Sequence, residues 1–224
     1  MVNNLSAVIP VREGSRRLPD KNISKFGGSN LLVWKIRQLK EVKEVANIYV
    51  SSDSDTMLKL AEIEGVKTHK RSAEYCDEKT KSFGEVVEHI CSNIKGEHVL
   101  WATCTSPLVL PKNYSKAINK YHQALKEGFD SLMSVEPFKR YIWDEKGPLN
   151  YKLGKQHVPS QELDQLYFIT DGILLAPRKK MIEWSYFHGT HPYKYELDKI
   201  HCVDIDDKLD LEMAKAWLPL ISTQ

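Results

Sequence analysis

The sequence has few cysteines and no long apolar run, and each of these scarcities excludes a class of protein. Its 224 residues include only 4 cysteines, which are irregularly spaced and form no CxxC pair: Cys76, Cys91, Cys104 and Cys202. This pattern argues against a disulfide framework and a zinc site, and it is typical of reduced thiols in the cytoplasm. No stretch approaches the ~20 apolar residues of a membrane helix, and the first residues lack a signal-peptide core. We therefore expect a cytoplasmic protein that does not enter a membrane.

An excess of charge of either sign is also missing. Lys+Arg number 32 against 30 Asp+Glu, a net charge of +2, so no overall positive field would attract nucleic acid. The sequence contains no GxxxxGK[ST], GxGxxG, HExxH or GxSxG motif. These absences exclude a P-loop NTPase and argue against a dinucleotide fold, a zincin and an α/β-hydrolase. Any chemistry with an anion must therefore come from a local cluster of charge.

Apolar runs alternate with amphipathic segments along most of the chain. Predicted strands cover Leu5–Val11, Asn47–Ser52, Val66–Lys70, Glu97–Thr103 and Phe129–Val135. Predicted helices lie between them, at Leu31–Lys40, around Met57–Ala61, at Ser82–Ile94 and at Pro111–Glu127. Such alternation indicates βαβ units, and hence an α/β fold with a mostly parallel twisted sheet flanked by helices.

The alternation breaks once, between residues 136 and 165. This stretch is polar and rich in proline and glycine, but it carries Phe138, Tyr141, Trp143 and Tyr151. We predict that residues 1–135 and 166–224 form one α/β domain. Residues 136–165 are predicted to be a small extension that packs on a second subunit. Regular structure resumes in an apolar strand at Leu166–Ala176 and ends in a strand through VDID that runs into an amphipathic helix.

A basic loop, VREGSRRLPDKN, follows the first predicted strand directly. It carries four cations, Arg12, Arg16, Arg17 and Lys21, together with Gly14 and Ser15, which permit a tight turn with exposed backbone N–H groups. Arginine and lysine are suited to phosphate oxygens, and ligands of parallel sheets bind at the carboxyl ends of strands. The loop therefore predicts a phosphate site.

A pair of carboxylates, Asp204 and Asp206, lies in VDID near the other end of the chain. Two residues apart on a strand, both would point to one face. Carboxylates side by side repel each other unless a cation lies between them, and oxygen ligands suit Mg²⁺ that bridges to phosphates. Alternatively, Asp206 or Asp207 only caps the following helix, which would leave Asp204 unexplained.

Two further segments offer weaker signals. Thr103, Thr105 and Ser106 follow a strand and can donate hydrogen bonds to a ligand, although a plain hydroxyl-stabilised turn would look the same. Asp171-Gly172, inside an apolar strand, predicts a bulge or a close backbone approach. It could serve as a ligand wall or as a packing site.

Taken in order, these segments resemble a known family. IPVREGSRRLPDKN resembles the opening motif of the sugar-acid cytidylyltransferases. VSSDSD, HKRSAEY, TCTSPL, TDGILL and VDIDDKLDLEMA resemble five later motifs of that family, and together they span nearly the whole chain. The DID sequence at Asp204–Asp206 resembles the paired aspartates of the acylneuraminate branch of this family, whose members make CMP-sialic acid.

The resemblance implies a Rossmann-like nucleotidyltransferase fold, CTP and Mg²⁺ as co-substrates, and a homodimer whose extension closes over the neighbouring site. It implies catalytic roles for Arg12, Lys21 and Asp206, with Asp204 and Asp206 as metal ligands. The nucleotide side would comprise Arg12, Gly14, Ser15, Arg16, Lys21, Arg71 and Ser82. The acceptor side would comprise Thr103, Thr105, Ser106 and Asp171.

The departures from the family pattern all fall on the acceptor side. Thr103 replaces a usual glutamine and Cys104 a proline. Asp171 replaces the asparagine of an Asn-Gly pair in the family, and the arginine common just before that pair is absent from 168–170. We therefore expect CTP-dependent activation of an acidic sugar, either sialic acid or another nonulosonic acid. A non-catalytic nucleotide-binding module and a related nucleotidyltransferase with another NTP or acidic acceptor stay open as alternatives.

Overall fold

A computed structural model describes residues 4–77 and 79–221 of the chain, so the ends of the predicted α/β domain, 1–3 and 222–224, lie outside the described residues. Seven strands form the central sheet: β1 (Leu5–Pro10), β4 (Asn47–Ser52), β5 (Lys67–Lys70), β6 (His98–Trp101), β7 (Ser131–Phe138), β10 (Leu166–Pro177) and β11 (Pro192–Glu196). Two small hairpins comprise β2 (Lys25–Phe26) with β3 (Ser29–Asn30), and β8 (Trp143–Asp144) with β9 (Gly147–Pro148).

Within the described residues, six α-helices cover the two faces of the sheet. They are α1 (Leu31–Lys40), α2 (Asp55–Ile63), α3 (Phe83–Asn93), α4 (Pro111–Lys126), α5 (Arg178–Trp184) and α6 (Lys208–Ile221). Side chains alternate across β1, so that Leu5, Ala7 and Ile9 enter the core shared with α1, α2, α4 and α6, whereas Val8 enters the core shared with α3 and α5. None of the helices in the described part of the chain is long and apolar enough to cross a membrane.

The strand order is β11-β7-β10-β6-β1-β4-β5. β1 pairs in parallel with β4 and β6, β4 with β5, and β7 with β11. Only β10 runs antiparallel to its two neighbours, β6 and β7. The predicted α/β fold with a mostly parallel sheet is thus confirmed. The carboxyl ends of β1, β4 and β6 lie at one edge of the sheet.

Some predicted elements need correction. The strand predicted through VDID is wrong: residues 203–206 form no strand and follow a 3₁₀ helix at Lys199–Cys202. The N–H of Ile205 donates to the carbonyl of Thr105, in a loop rather than in a strand, so no ladder forms. The predicted alternation of the side chains is still present, because Val203 and Ile205 are buried whereas Asp204 and Asp206 are only partly buried.

The segment between β7 and β10 leaves the sheet as a two-stranded ribbon. β7 begins at Ser131 and continues to Phe138, three residues past the predicted end, and Leu166 to Ile169 of β10 pair with it. The β8–β9 hairpin and two 3₁₀ turns at Gly154–Gln156 and Ser160–Glu162 follow beyond the ribbon. The edge strand β11 was not predicted.

Candidate active site

The basic loop projects from the carboxyl end of β1, and it is held by hydrogen bonds to the residues after β4 and by a bond within the loop. The N–H of Glu13 donates to Asp53 Oδ1 at 3.1 Å, and the hydroxyl of Ser54 donates to the Glu13 carboxylate. Asn22 Nδ2 donates to the carbonyl of Arg12 at 3.0 Å. Gly14 adopts φ of 74°, a left-handed conformation that favours glycine. The loop is therefore a fixed cradle of backbone and cationic groups.

The structure brings the basic loop into direct contact with the acidic segment. Lys21 Nζ lies 3.3 Å from Asp206 Oδ1, and Arg17 Nη2 lies 2.7 Å from the same oxygen. Lys21 and Asp206 are 185 positions apart in the sequence, so the contact depends on the tertiary fold. Arg17 was counted among the loop cations but not assigned a role, and its ion pair with Asp206 adds it to the site.

Asp207, not Asp206, caps helix α6. Asp207 Oδ1 accepts from the N–H of Leu209 at 2.7 Å and of Asp210 at 3.1 Å, and Asp210 Oδ2 accepts from the N–H of Asp206 at 2.9 Å. The capping alternative is therefore resolved in favour of Asp207. The side chains of Asp204 and Asp206 stay available for another role.

Asp171, Asp204 and Asp206 lie near enough to one another for their charges to interact. Burial raises the pKa of Asp204, and the neighbouring Asp206 adds to the rise. Burial also raises the pKa of Asp171, with further contributions from Asp204 and Asp206. Asp204 Oδ1 is buried and has no hydrogen-bond partner within the described residues. This orphaned oxygen and the mutual repulsion fit a divalent cation with oxygen ligands.

No cluster of three or more metal-ligating His, Cys, Asp or Glu side chains was found within 4–77 and 79–221. Mg²⁺ usually keeps several waters and substrate phosphates among its ligands and takes one or two protein carboxylates. An open pair such as Asp204 and Asp206 therefore suits Mg²⁺ better than it suits a metal that needs an all-protein site.

A cavity of about 790 Å³ opens next to these charges. Eight of the predicted site residues line it: Arg12, Ser15, Arg16, Lys21, Arg71, Thr103, Thr105 and Asp171. Gly14 and Asp206 do not line the cavity, although Asp206 contacts Lys21, which does. Asp204 does not line it.

Two predicted residues have structural duties instead of a place on the wall. The Ser82 hydroxyl accepts from the N–H of Glu85 in a capping box that begins α3, although its neighbours Lys81 and Phe83 line the cavity. Ser106 is 2% exposed and its hydroxyl lies 3.2 Å from Thr103 Oγ1. Ser106 therefore lies behind the surface that a ligand would touch, whereas Ser82 is exposed and its hydroxyl is engaged in the helix cap.

Arg71 is the most deeply buried of the cavity's cations, at 4% exposure. Its guanidinium donates to the carbonyls of Val11 and Tyr75, so it ties the basic loop to the 3₁₀ helix at Ala73–Cys76. Burial lowers the pKa of Arg71. Arg71 therefore both lines the cavity and fixes the start of the basic loop.

The turn at residues 103–107 joins the separate parts of the site, and we call it the strand-end turn. Thr103 Oγ1 donates to the carbonyl of Asp171 at 3.0 Å, and Cys104 Sγ lies 3.3 Å from Asn22 Oδ1. The carbonyl of Thr105 accepts from the N–H of Ile205 at 2.8 Å. The turn thus contacts the basic loop, the acidic segment and β10 at once.

The sequence predicted a bulge or a close backbone approach at Asp171-Gly172, and the structure has both. The register of β10 against β7 shifts between Ile169 and Leu174, which marks a bulge. A Cβ at Gly172 would lie 2.9 Å from Val109 Cγ2, so the backbone also approaches its neighbour closely. The bulge places Asp171 on the cavity wall.

Four aromatic side chains also line the cavity, Phe83, Trp101, Tyr186 and Phe187, and we call them the aromatic wall. The Phe83 ring lies edge-on to Trp101 and Phe187, with centroids 6.2 and 5.5 Å apart. The sequence reasoning missed this wall because its members come from three elements far apart in the chain. In the sequence, only Tyr186 and Phe187 are adjacent to each other.

Comparison with known proteins agrees with these features. The family model described as "Cytidylyltransferase" matches residues 6–170. N-acylneuraminate cytidylyltransferase A of Danio rerio is 28% identical over 95% of this chain, and pseudaminic acid cytidylyltransferase of Campylobacter jejuni is 26% identical over 93%. The chain spans 50% of the length of the first of these relatives and 93% of the second.

Solved structures share the fold at low identity. CMP:2-keto-3-deoxy-manno-octonic acid synthetase in complex with CTP superposes with a TM-score of 0.71 at 12% identity, covering 96% of this chain and 98% of that one. 4-diphosphocytidyl-2C-methyl-D-erythritol synthase from Anaerococcus prevotii gives 0.68 at 15%, covering 97% of this chain and 98% of that one. These likenesses show the fold alone. Because the family model spans most of the sequence, from the first strand to the strand that carries Asp171, the chain belongs to the cytidylyltransferase family.

Proposed function

We propose that this protein joins CMP from CTP to an acidic nonulosonic-type sugar and releases pyrophosphate. The observation that carries the proposal is the contact of Lys21 and Arg17 with Asp206 beside a cavity lined by Arg12, Thr103 and Asp171. Cations for a polyphosphate and carboxylates for its metal meet at one edge of the sheet. A module that only binds nucleotide would not need the two carboxylates.

In the proposed reaction, the anomeric hydroxyl of the sugar attacks the α-phosphorus of CTP. A new P–O bond to the sugar forms, the bond from the α-phosphorus to the bridging oxygen of pyrophosphate breaks, and the hydroxyl proton leaves to water. Arg12 and Lys21 bind the phosphate oxygens and become more effective as negative charge grows on the leaving pyrophosphate. Asp204 and Asp206 would hold Mg²⁺, which supplies further positive charge to the phosphates when bound.

Positioning provides much of the remaining rate enhancement. Alignment of two bound reactants can lower the barrier by up to about 7–11 kcal/mol, and the fixed loop and strand-end turn offer rigid supports for it. The aromatic wall suits the apolar face or an apolar substituent of a sugar, while Thr103 and the bulge at Asp171 offer polar groups. The names of the relatives, which act on N-acylneuraminate and pseudaminic acid, support a nonulosonic acid as acceptor.

Release of pyrophosphate tests the proposal directly. The protein is assayed with CTP, UTP, GTP and ATP, each with N-acetylneuraminic, legionaminic, pseudaminic and 2-keto-3-deoxyoctonic acids. We expect release only with CTP, and with at least one nonulosonic acid. Release with another NTP would instead identify a different nucleotidyltransferase, and CTP binding without any turnover would identify a non-catalytic module.

We also infer a homodimer in which the ribbon and hairpin segment contacts the second copy. Large apolar side chains on this segment are exposed, among them Trp143 at 57%, Leu149 at 60% and Leu153 at 61%. Exposed apolar groups clustered on one segment are typical of an interaction surface.

Replacement of Trp143 by glutamate is expected to convert the dimer to a monomer with a normally folded α/β core. Burying a charge in place of an indole at an interface removes apolar contact and adds a desolvation cost. Sedimentation velocity and circular dichroism measure the two properties. Lys146→Glu, in the exposed turn of the same hairpin, is the matched control and should stay dimeric. A wild-type protein that sediments as a monomer would contradict the inference.

A further inference from the structure

Lys35, on α1, is completely buried, with 0% of its surface exposed. Its Nζ donates to the carbonyl of Ser106 at 2.8 Å and to the hydroxyl of Tyr114 at 2.6 Å. Its partners are thus a carbonyl and a phenol rather than a carboxylate. Burial of an amine without an opposite charge is unfavourable, and a methionine of similar length would fill the same space. The position therefore calls for an explanation beyond packing.

Burial also changes the charge state of this side chain. It lowers the pKa of Lys35 to about 7, and the nearby Cys104 opposes the change only in part. A neutral amine keeps two N–H donors, so it can still hold both oxygens without an uncompensated charge in the core. The group is suited to hold a backbone carbonyl inside a dry environment.

The carbonyl held by Lys35 belongs to the strand-end turn. From Ser106 a short chain of contacts leads to the cavity: Ser106 Oγ lies 3.2 Å from Thr103 Oγ1, which donates to the carbonyl of Asp171 at 3.0 Å. Thr103 and Asp171 both line the cavity. A shift of Ser106 would therefore move two groups on the acceptor side.

α1 supplies two more donors to the same turn, but to the next carbonyl. Trp34 Nε1 and Gln38 Nε2 each donate to the carbonyl of Pro107 at 2.9 Å. Pro107 thus has two donors from the helix, so the loss of one leaves the other in place. The carbonyl of Ser106 accepts from Lys35 and not from Trp34 or Gln38. Lys35 is therefore the least replaceable of the three donors.

We propose that Lys35 is a positioning residue that fixes the strand-end turn and thereby sets the geometry of Thr103 and Asp171 for the acceptor. Lys35 does not touch the reactants; it acts through the carbonyl and hydroxyl of Ser106. The effect on catalysis rests on the proposed function. The basic loop contacts the turn through Cys104 and Asn22, but it also has bonds that do not involve the turn, from the N–H of Glu13 to Asp53 and from Asn22 Nδ2 to the carbonyl of Arg12.

Lys35→Met tests this role because it keeps the length and removes the donor. We expect kcat/KM for the acceptor to fall about 10- to 100-fold, as small misplacements of positioned groups do, with an unchanged dissociation constant for CTP. The melting temperature should stay near that of the wild type, because the variant loses two buried hydrogen bonds but also the desolvation cost of the buried amine. Gln38→Met is the matched control: it removes a buried donor from the same helix face to the same turn, yet Pro107 keeps Trp34.

Ser106→Ala gives a second, independent variant. It keeps the carbonyl that Lys35 holds but removes the hydroxyl that contacts Thr103, so we expect a smaller defect of the same kind. If both variants fold and retain wild-type KM and kcat for the acceptor, the proposal is overturned. It is also overturned if Lys35→Met weakens CTP and acceptor equally with a lowered melting temperature, because that result indicates general destabilisation.

Amide hydrogen exchange across residues 102–110 separates this proposal from the proposed function. If the wild type releases no pyrophosphate with any acceptor, the proposed reaction is wrong while the exchange measurement still decides the role of Lys35 in the turn. Faster exchange in Lys35→Met than in Gln38→Met supports the proposed role of Lys35 in fixing the strand-end turn. Equal exchange in the two variants contradicts it.

Discussion

Replacement of Arg12 by alanine is expected to lower turnover by at least about 100-fold, the scale for loss of one preorganised charge-stabilising donor. Arg12 lies at the carboxyl end of β1 and lines the cavity, and its Nη1 donates to the carbonyl of Cys76 at 3.1 Å. That bond orients the planar guanidinium, which offers further donors in a fixed fork. Steady-state release of pyrophosphate from CTP measures the loss.

The loss should appear mainly in kcat if Arg12 acts on charge that develops as pyrophosphate leaves. A residue that bound ground state and transition state equally would instead raise KM alone. Arg12→Lys keeps the charge without the fork, so an intermediate rate is expected. Lys25→Ala is the control, because Lys25 is an exposed cation of β2 outside the cavity. Near-normal turnover in a folded Arg12→Ala protein would remove this side chain from the mechanism.

Replacement of Asp206 by asparagine is expected to abolish the normal Mg²⁺ dependence and to reduce activity by at least about 100-fold. A metal can supply several kcal/mol of charge stabilisation, and each 1.36 kcal/mol corresponds to a tenfold change in rate. Asparagine keeps the shape but removes the negative charge that now pairs with Lys21 and Arg17 at 3.3 and 2.7 Å. Activity titrated with Mg²⁺, and calorimetric titration of the CTP-bound protein with Mn²⁺, are the two measurements.

Asp207→Asn provides a matched control one residue away. Asn and Asp are similarly good helix caps, so the cap that Asp207 forms with Leu209 and Asp210 should persist. Metal titration and melting temperature should then match the wild type. A wild-type metal titration in Asp206→Asn would mean that this aspartate only balances the cations of the basic loop.

The pattern of the sequence predicted the α/β core because its strands are apolar on both faces and its helices are amphipathic. It predicted less well where an element's partner lies far away in the chain. β10 looks like any buried strand, and its antiparallel direction follows from the ribbon that connects it to β7. The edge strand β11 alternates weakly and carries few apolar residues, so local pattern did not reveal it.

The candidate site shows the same division. The cluster of cations after β1, the paired aspartates and the glycine beside Asp171 could each be identified from a short stretch of sequence. The strand predicted for VDID was wrong because alternation of buried and less buried side chains also occurs in an extended loop that bonds to a turn. The aromatic wall, the ion pair of Arg17 and the buried bonds of Lys35 depend on tertiary contacts, which no single segment records.

The length and course of β10 have a consequence for inhibition. This one strand of 12 residues pairs at its first end with β7 in the ribbon and at its other end with β6 in the core, with Asp171 between the two. A compound bound to the ribbon would therefore contact the strand that carries Asp171 without entering the cavity. Such a compound would need no chemical likeness to the proposed substrates.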